Sequence, residues 1–300
     1  MNRALDFVRD RSGFEMILIG LSAVYLFLFA GAPFVFNVLM SFQKVDLFNI
    51  ASIDRPFVGF ANYQKILANP DFWLIVRNTV VFVALSSVCQ LAGGFALALF
   101  FMQDFAGASW LRGLFLAAWI TPGYAIGQVW KWMLAGDTGI ANYFLRSLHI
   151  IDGPVYWLSD PSLALLTITF VNVWLGIPFY LLLISVGLSA IPRDLYEAAE
   201  LDGANAVQRF CGITLPLMRD TLLALVALGA ILTLQQFDLI AALTAGGPVN
   251  SSNVAQFWSW QLSFQSYQIG LGSAVSVLML LVVVVIASIY VAATRSERAA

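Results

Sequence analysis

From Leu239 to Thr294 the sequence contains no charged side chain, and five other runs are also long and neutral. Glu15 to Lys44 encloses 28 uncharged residues, Arg77 to Asp104 encloses 26, and Arg112 to Lys131 encloses 18. Asp160 to Arg193 encloses 32, and Asp220 to Asp238 encloses 17. A membrane-spanning helix needs about 20 mostly apolar residues. Composition agrees, since 60% of the 300 residues are apolar and only 11% are charged. Soluble chains carry roughly 25% charged residues, so most of this surface must face something other than water.

The runs read as six spans near 15–41, 72–103, 109–135, 162–190, 215–243 and 269–294. The last uncharged run divides because Gly246, Gly247, Pro248 and the polar Asn250-Ser251-Ser252-Asn253 cannot continue a lipid-exposed helix. The expected fold class is all-α, a polytopic membrane protein with six transmembrane helices. A short segment 1–14 precedes the transmembrane domain 15–294, and a tail 295–300 follows it. The first span is not a cleaved signal peptide, because its apolar core exceeds the about 7–15 residues of such a segment and no A-x-A site follows.

Lys and Arg near the span ends set the expected orientation. With six spans both termini share a side, which would hold Arg3, Arg9, Arg11, Arg112, Arg193, Arg209, Arg219, Arg295 and Arg298. The other side would hold Lys44, Arg55, Lys65, Arg77, Lys131 and Arg146 over a longer stretch. Both termini are therefore expected in the cytoplasm.

Several functions are excluded by what the residues lack. The net charge of −2 comes with no basic patch for nucleic acid. None of the three lysines, Lys44, Lys65 and Lys131, follows a glycine, so no Walker A loop exists to bind ATP. Cys89 in the second span and Cys211 in a cytoplasmic loop cannot form a disulfide without contradicting the topology. His149 reads as a solvated loop residue rather than a ligand. No His/Asp/Glu cluster or serine-nucleophile pattern suggests an enzyme.

One soluble-looking segment, 192–214, interrupts the spans. Pro192 suits a helix start, Asp194 with Glu197 resembles a capping box, and Gly203 supplies the turn that ends the helix. A second short helix is expected over 204–212, with Leu195, Ala199, Val207 and Phe210 as apolar contacts, and Pro216 opens the next span. The segment reads either as an interfacial connector or as a rigid element that docks into a cytoplasmic partner.

Glu197, Ala198, Ala199, Gly203, Ile213, Leu215 and Pro216 meet every fixed position of E-A-A-x3-G-x9-I-x-L-P. That spacing resembles the EAA loop of membrane subunits of type I ABC importers. Val171-Asn172-Val173-Trp174-Leu175-Gly176-Ile177-Pro178 and Phe237-Asp238-Leu239-Ile240-Ala241-Ala242-Leu243-Thr244-Ala245-Gly246-Gly247-Pro248 resemble the carbohydrate-importer group, nearest the maltose-type permease subunit. The resemblance implies a second homologous permease subunit, two ATP-binding subunits that hold ATP and Mg, and a periplasmic or extracellular solute-binding protein. It places the chain in the bacterial inner membrane and gives it no cofactor of its own. It also implies that Glu197, Ala198, Ala199, Asp202, Gly203, Arg209 and Phe210 couple to the ATPase.

Polar side chains inside spans usually face a cavity or another helix, and Gln90, Thr121, Gln128, Asn172, Gln235, Gln236 and Asp238 are the candidates. Positions matching the family's sugar contacts carry Trp119, Asn172, Leu175, Gly176, Thr233 and Gln236. The chemistry is apt, since Trp119 offers an aromatic face and Asn172 and Gln236 both donate and accept hydrogen bonds. Gly176 would let a sugar ring approach the backbone. Outer loops 42–71, 136–161 and 244–268 would meet the solute-binding protein, and their Trp157, Trp258 and Trp260 read as interfacial anchors. A proton-coupled carrier built on Asp238 is the alternative. Such a carrier would be expected to show chains of acids and histidines and a repeated half, and the sequence shows neither.

Overall fold

The computed structural model describes residues 13–52, 54–103 and 105–295. Arg3, Arg9, Arg11 and Arg298 lie outside the described residues, as do nearly all of the expected terminal segments 1–14 and 295–300. The described chain is helical, and its β structure is a single isolated bridge between Gln43 and Phe57. It divides into two compact units, Met1–Leu67 with Gln261–Val277 and Ala68–Trp260 with Leu278–Ala300.

In the first unit, α1 (Gly13–Leu26) runs through a π-helical turn, Phe27–Gly31, into α2 (Ala32–Ser41). Glu15–Ser41 is thus one apolar helix of 27 residues, and Ser41 is the only one of its described side chains that is buried. A helix apolar on every face belongs in lipid or against other helices. The chain beyond it is tied to α3 (Ala61–Leu67) by Asn62, whose Nδ2 donates to the carbonyls of Ser41 at 2.8 Å and Gln43 at 2.9 Å. Gly270, at the start of α14 (Ile269–Arg295), donates its N–H to Val45 O at 3.0 Å. A Cβ at Gly270 would lie 2.5 Å from Gln43 O, so the contact requires glycine.

The second unit is organised around α4 (Phe72–Phe101) and α8 (Ala164–Ser189). Glycines let these two helices approach, since a Cβ at Gly94 would sit 2.4 Å from Tyr180 Cβ and one at Gly93 2.9 Å from Ile177 Cδ1. Small residues at such crossings are how helices associate without a hydrophobic driving force. Around the pair stand α5 (Ala108–Ile120), α6 (Gly123–Met133), α7 (Ile140–Ser147), α9 (Arg193–Leu201), α10 (Ala206–Arg209), α11 (Leu215–Leu234), α12 (Asp238–Leu243) and α13 (Ala255–Trp260). In the turn before α8, Asp160 Oδ1 accepts from the N–H and hydroxyl of Ser162, which holds its carboxyl below the usual carboxylate range.

Five helices are long and apolar enough to cross a membrane. The expected third span, 109–135, is instead two shorter helices, α5 and α6, because Thr121 is extended (φ −67°, ψ 137°) before Pro122. Residues before proline avoid the helical region, so the break follows from the sequence. The expected fifth span, 215–243, breaks likewise at Gln235–Phe237, between α11 and α12. No separate helix occupies 204–212. α10 continues through the π-helical turn Phe210–Thr214 into α11, making one helix from Ala206 to Leu234.

Two buried apolar clusters stabilise this unit. One joins Phe82 of α4 to Ile168 and Val171 of α8, Ile126 of α6, Leu239 and Leu243 of α12 and Phe257 of α13. The other joins Ala98 and Phe101 of α4 to Tyr180, Leu181, Ile184 and Leu188 of α8 and Met218 and Leu225 of α11. Trp157, Trp258 and Trp260 are packed into the protein rather than standing as interfacial anchors. Trp258 is buried, Trp157 and Trp260 lie against the first cluster, and Trp157 Nε1 donates to Asn142 Oδ1 at 2.9 Å. Cys89 and Cys211 are both free thiols. His149 is exposed with φ 55°, and no metal-binding group of side chains occurs among the described residues.

The irregular segment 244–254 is held by one buried amide. Asn78 Nδ2, from α4, lies within hydrogen-bonding distance of the carbonyls of Asn250 (3.0 Å), Ser251 (3.1 Å) and Asn253 (3.2 Å). Thr79 Oγ1 accepts from Ala255 N at 2.9 Å, and Asn250 Nδ2 donates to Asp71 Oδ2 at 2.9 Å. An unsatisfied buried polar group costs about 1–3 kcal/mol. Asn78→Ala is therefore expected to lower the thermal midpoint of the detergent-solubilised protein by several degrees. An unchanged midpoint contradicts this role.

Candidate functional site

Between the two apolar clusters the helix cores turn polar. On α8, Asn172, Leu175 and Gly176 follow Val171 of one cluster and precede Tyr180 of the other. Gln90 lies at the matching level of α4. These residues line a recess of about 110 Å³ with Trp119, Phe179, Tyr180, Gly229, Leu232, Thr233 and Gln236. The structure thus brings together all six residues expected to contact solute, near the middle of the two long helices.

Their detailed chemistry is more constrained than sequence suggests. Gln90 Nε2 donates to Asn172 O at 2.8 Å, and Asn172 Nδ2 donates to Ser86 Oγ at 2.9 Å. A Cβ at Gly176 would fall 2.2 Å from Gln90 Nε2. The space over Gly176 therefore houses the Gln90 carboxamide, not only an approaching ligand. Gly229 plays the same part for Tyr180, whose hydroxyl would lie within van der Waals radii of any Cβ there. Trp119 at the end of α5 is half exposed, and its ring stacks on Phe179 (centroids 5.5 Å apart, planes 27° apart), leaving one face uncovered. Thr233 is buried and Gln236 half-buried.

Of the remaining polar candidates, Thr121, Gln128, Gln235 and Asp238 are exposed and line no part of this recess. Gln90 was legible as a polar residue in a span. Phe179, Tyr180, Gly229 and Leu232 were not, because nothing in an apolar run distinguishes a cavity wall from a lipid-facing surface. The two helix breaks meet beside the recess, since a Cβ at Gly123 would be 3.3 Å from Asp238 Cβ. Interrupted helices leave backbone groups without intrahelical partners, which a cavity can use.

The elbow forms a second site. α9 starts directly after Pro192, which accepts no side-chain cap, so Asp194 and Glu197 form no capping box. With Pro192 as the cap, Asp194 already sits in the first turn, where its charge suits the helix dipole. The capping box lies at the next helix instead, where Asn205 Oδ1 accepts from Gln208 N at 3.0 Å and Gln208 Oε1 accepts from Asn205 N at 2.8 Å. Between them Gly203 takes φ 81°, a left-handed conformation that glycine adopts without strain. Ala204 N then closes the α9 end by donating to Ala199 O at 2.9 Å.

The seven expected coupling residues divide into two sets. Glu197, Ala198, Asp202 and Gly203 are exposed, and Ala199 is half-buried. Arg209 and Phe210 face inward: Arg209 pairs with Glu200, and the Phe210 ring meets Phe95 of α4 edge-on at 5.4 Å. Tyr196 and Thr214 share a hydroxyl hydrogen bond of 2.9 Å, a further tie between α9 and the root of α11. Leu195 and Val207, expected as apolar contacts, are exposed, and Leu201 is 90% exposed.

The chain is similar to known proteins in sequence and in fold. Residues 90–298 match the family model described as "Binding-protein-dependent transport system inner membrane component". The trehalose/maltose transport system permease protein MalF of Thermococcus litoralis is 35% identical, with 82% of each chain covered. The sulfoquinovosyl glycerol transport system permease protein SmoG of Agrobacterium fabrum is 30% identical over 94% of this chain and 90% of its own. A solved bacterial ABC transporter involved in import of the acidic polysaccharide alginate has a chain of the same fold, with a TM-score of 0.83 and 19% identity over 99% of both chains. The half-buried recess and the exposed EAA elbow thus occur on a multi-pass scaffold whose sequence and fold agree. The chain belongs to the family of binding-protein-dependent transport system inner membrane components, the permease subunits of ABC importers.

Proposed function

We propose that this permease moves a sugar or sugar derivative inward, and that the recess around Asn172 is its share of the solute path. The observation that carries this reading is the meeting of Trp119, Asn172, Leu175, Gly176, Thr233 and Gln236 in one recess. An aromatic face beside amide and hydroxyl groups suits the mixed C–H and O–H surface of a carbohydrate. The names of the two relatives, one a trehalose/maltose and one a sulfoquinovosyl glycerol permease, support the same solute class.

At about 110 Å³ the recess is smaller than the roughly 300–1,000 Å³ of complete small-molecule sites. We take the remainder to come from a second, homologous permease subunit. Two ATP-binding subunits, carrying ATP and Mg, would engage the exposed face of α9, and both termini would lie on their side of the membrane in the cytoplasm. Residues 42–71, 136–161 and 244–268 would face a solute-binding protein outside.

Chemically the chain's own task is to position and transmit. Gln90 fixes the Asn172 backbone, and Asn172 in turn is oriented by Ser86. Closure of the ATPase pair would push on α9, and the ties from Tyr196, Arg209 and Phe210 would pass that motion to α11 and α4.

Gly203→Asp and Gly203→Pro are expected to abolish uptake by the assembled transporter while the protein still inserts, because φ 81° is denied to proline and costly for aspartate. Normal uptake by either variant removes the lever assignment. Gly176→Ala should cut uptake at least about tenfold, in keeping with the 2.2 Å approach to Gln90. Adding Gln90→Ala to Gly176→Ala should recover part of the loss. If the double variant is as poor as the sum of the singles, Gln90 and Gly176 are not coupled.

A further inference from the structure

The three lysines of this charge-poor chain are distributed unevenly. Lys44 and Lys65 line one cavity of about 350 Å³ in the first unit, together with Val45, Asp46, Asn62, Gln268, Gly270 and Leu271. Neither lysine forms an ion pair among the described residues. The neighbouring acid, Asp46, is engaged in its own turn, where Oδ1 accepts from Phe48 N at 3.0 Å and Asn49 N at 3.2 Å. Arg55 in the same unit behaves differently, spending its Nε and a terminal nitrogen on the carbonyls of Ser52 (3.0 Å) and Ile50 (2.8 Å).

The backbone around the two lysines is hydrogen-bonded on several sides. Asn62, on α3 with Lys65, holds the carbonyls of Ser41 and Gln43 on either side of the turn that leads to Lys44. Lys44 N donates to Pro56 O at 2.9 Å, and Gly270 closes against Gln43 and Val45. Two lysines and the single acid Asp46 thus line one cavity, and neither lysine is ion-paired among the described residues. Such a cleft focuses positive potential and attracts carboxylates over about 10 Å at moderate salt.

We propose that the Lys44–Lys65 cleft receives acidic side chains of the solute-binding protein and latches that protein to the permease. The proposal rests on the reading above, in which residues 42–71 and 244–268 face outward. A soluble protein surface is favoured over a small anion because both lysines are exposed and the buried amide beside them, Asn62, is committed to the carbonyls of Ser41 and Gln43.

The test uses the complete transporter in lipid nanodiscs and its purified cognate solute-binding protein, with affinity measured at low and high salt. Wild type should bind more weakly as salt rises. Lys44→Glu with Lys65→Glu should weaken binding at low salt by at least about tenfold and flatten the salt dependence. Lys44→Gln with Lys65→Gln should give an intermediate loss, and basal ATPase activity without the binding protein should stay unchanged, which excludes misfolding. Wild-type affinity and salt slope in the charge-reversed variant overturn the latch. So does a cleft that binds inorganic phosphate while its reversal leaves the binding-protein affinity intact. Failure of wild-type transporter to bind the solute-binding protein at all overturns the importer reading itself, a result distinct from loss of the latch alone.

Discussion

A backbone N–H or C=O left without a partner in hydrocarbon costs several kcal/mol, and this penalty governs where the chain departs from helix. Three such departures among the described residues are either supported by other groups or open beside a cavity. The segment 244–254 is supported by the Asn78 amide and the Thr79 hydroxyl. The breaks at Thr121-Pro122 and at Gln235–Phe237 instead meet one another, next to Trp119 and Gln236 of the recess. Interrupted backbone and the polar side chains of Gln90, Asn172, Thr233 and Gln236 thus lie close together at the recess.

The elbow and the recess are joined by a single rigid element. From Ala206 the helix runs unbroken to Leu234, a rise of roughly 40 Å at 1.5 Å per residue. Its root carries Arg209 and Phe210, and its far end carries Thr233, which lines the recess. In the proposed coupling, a force on α9 would enter this helix through the Tyr196–Thr214 and Glu200–Arg209 ties. The sharp Gly203 turn fixes the angle between the two helices with few torsions, so displacement need not dissipate in a loop. The second apolar cluster, with Met218 and Leu225, packs the same helix against α8, which bears Asn172 and Gly176.

Charge spacing made most of the long helices legible, because the cost of burying charge in lipid leaves no alternative for such neutral runs. It could not reveal the division of 109–135, since a broken and an unbroken span have the same composition; Pro122 was the available signal. Asp194–Glu197 and Asn205–Gln208 offer the same capping spacing, and Pro192 decides between them by taking the cap position of α9 itself. The recess was legible through a resemblance to family positions. Its inner wiring was not, because the Gln90–Asn172 hydrogen bond joins residues 82 apart in sequence. Similarly, Trp157 and Trp260 look like membrane anchors in a loop and pack against the protein only once the first cluster assembles.

Energy coupling through α9 is tested most directly by uptake into proteoliposomes containing the complete transporter and supplied with the solute-binding protein loaded with sugar. Uptake is expected only with ATP on the side of the ATP-binding subunits, and it should persist when a proton uncoupler is added. Uptake that continues without ATP and collapses with the uncoupler would contradict ATP-driven transport by this permease.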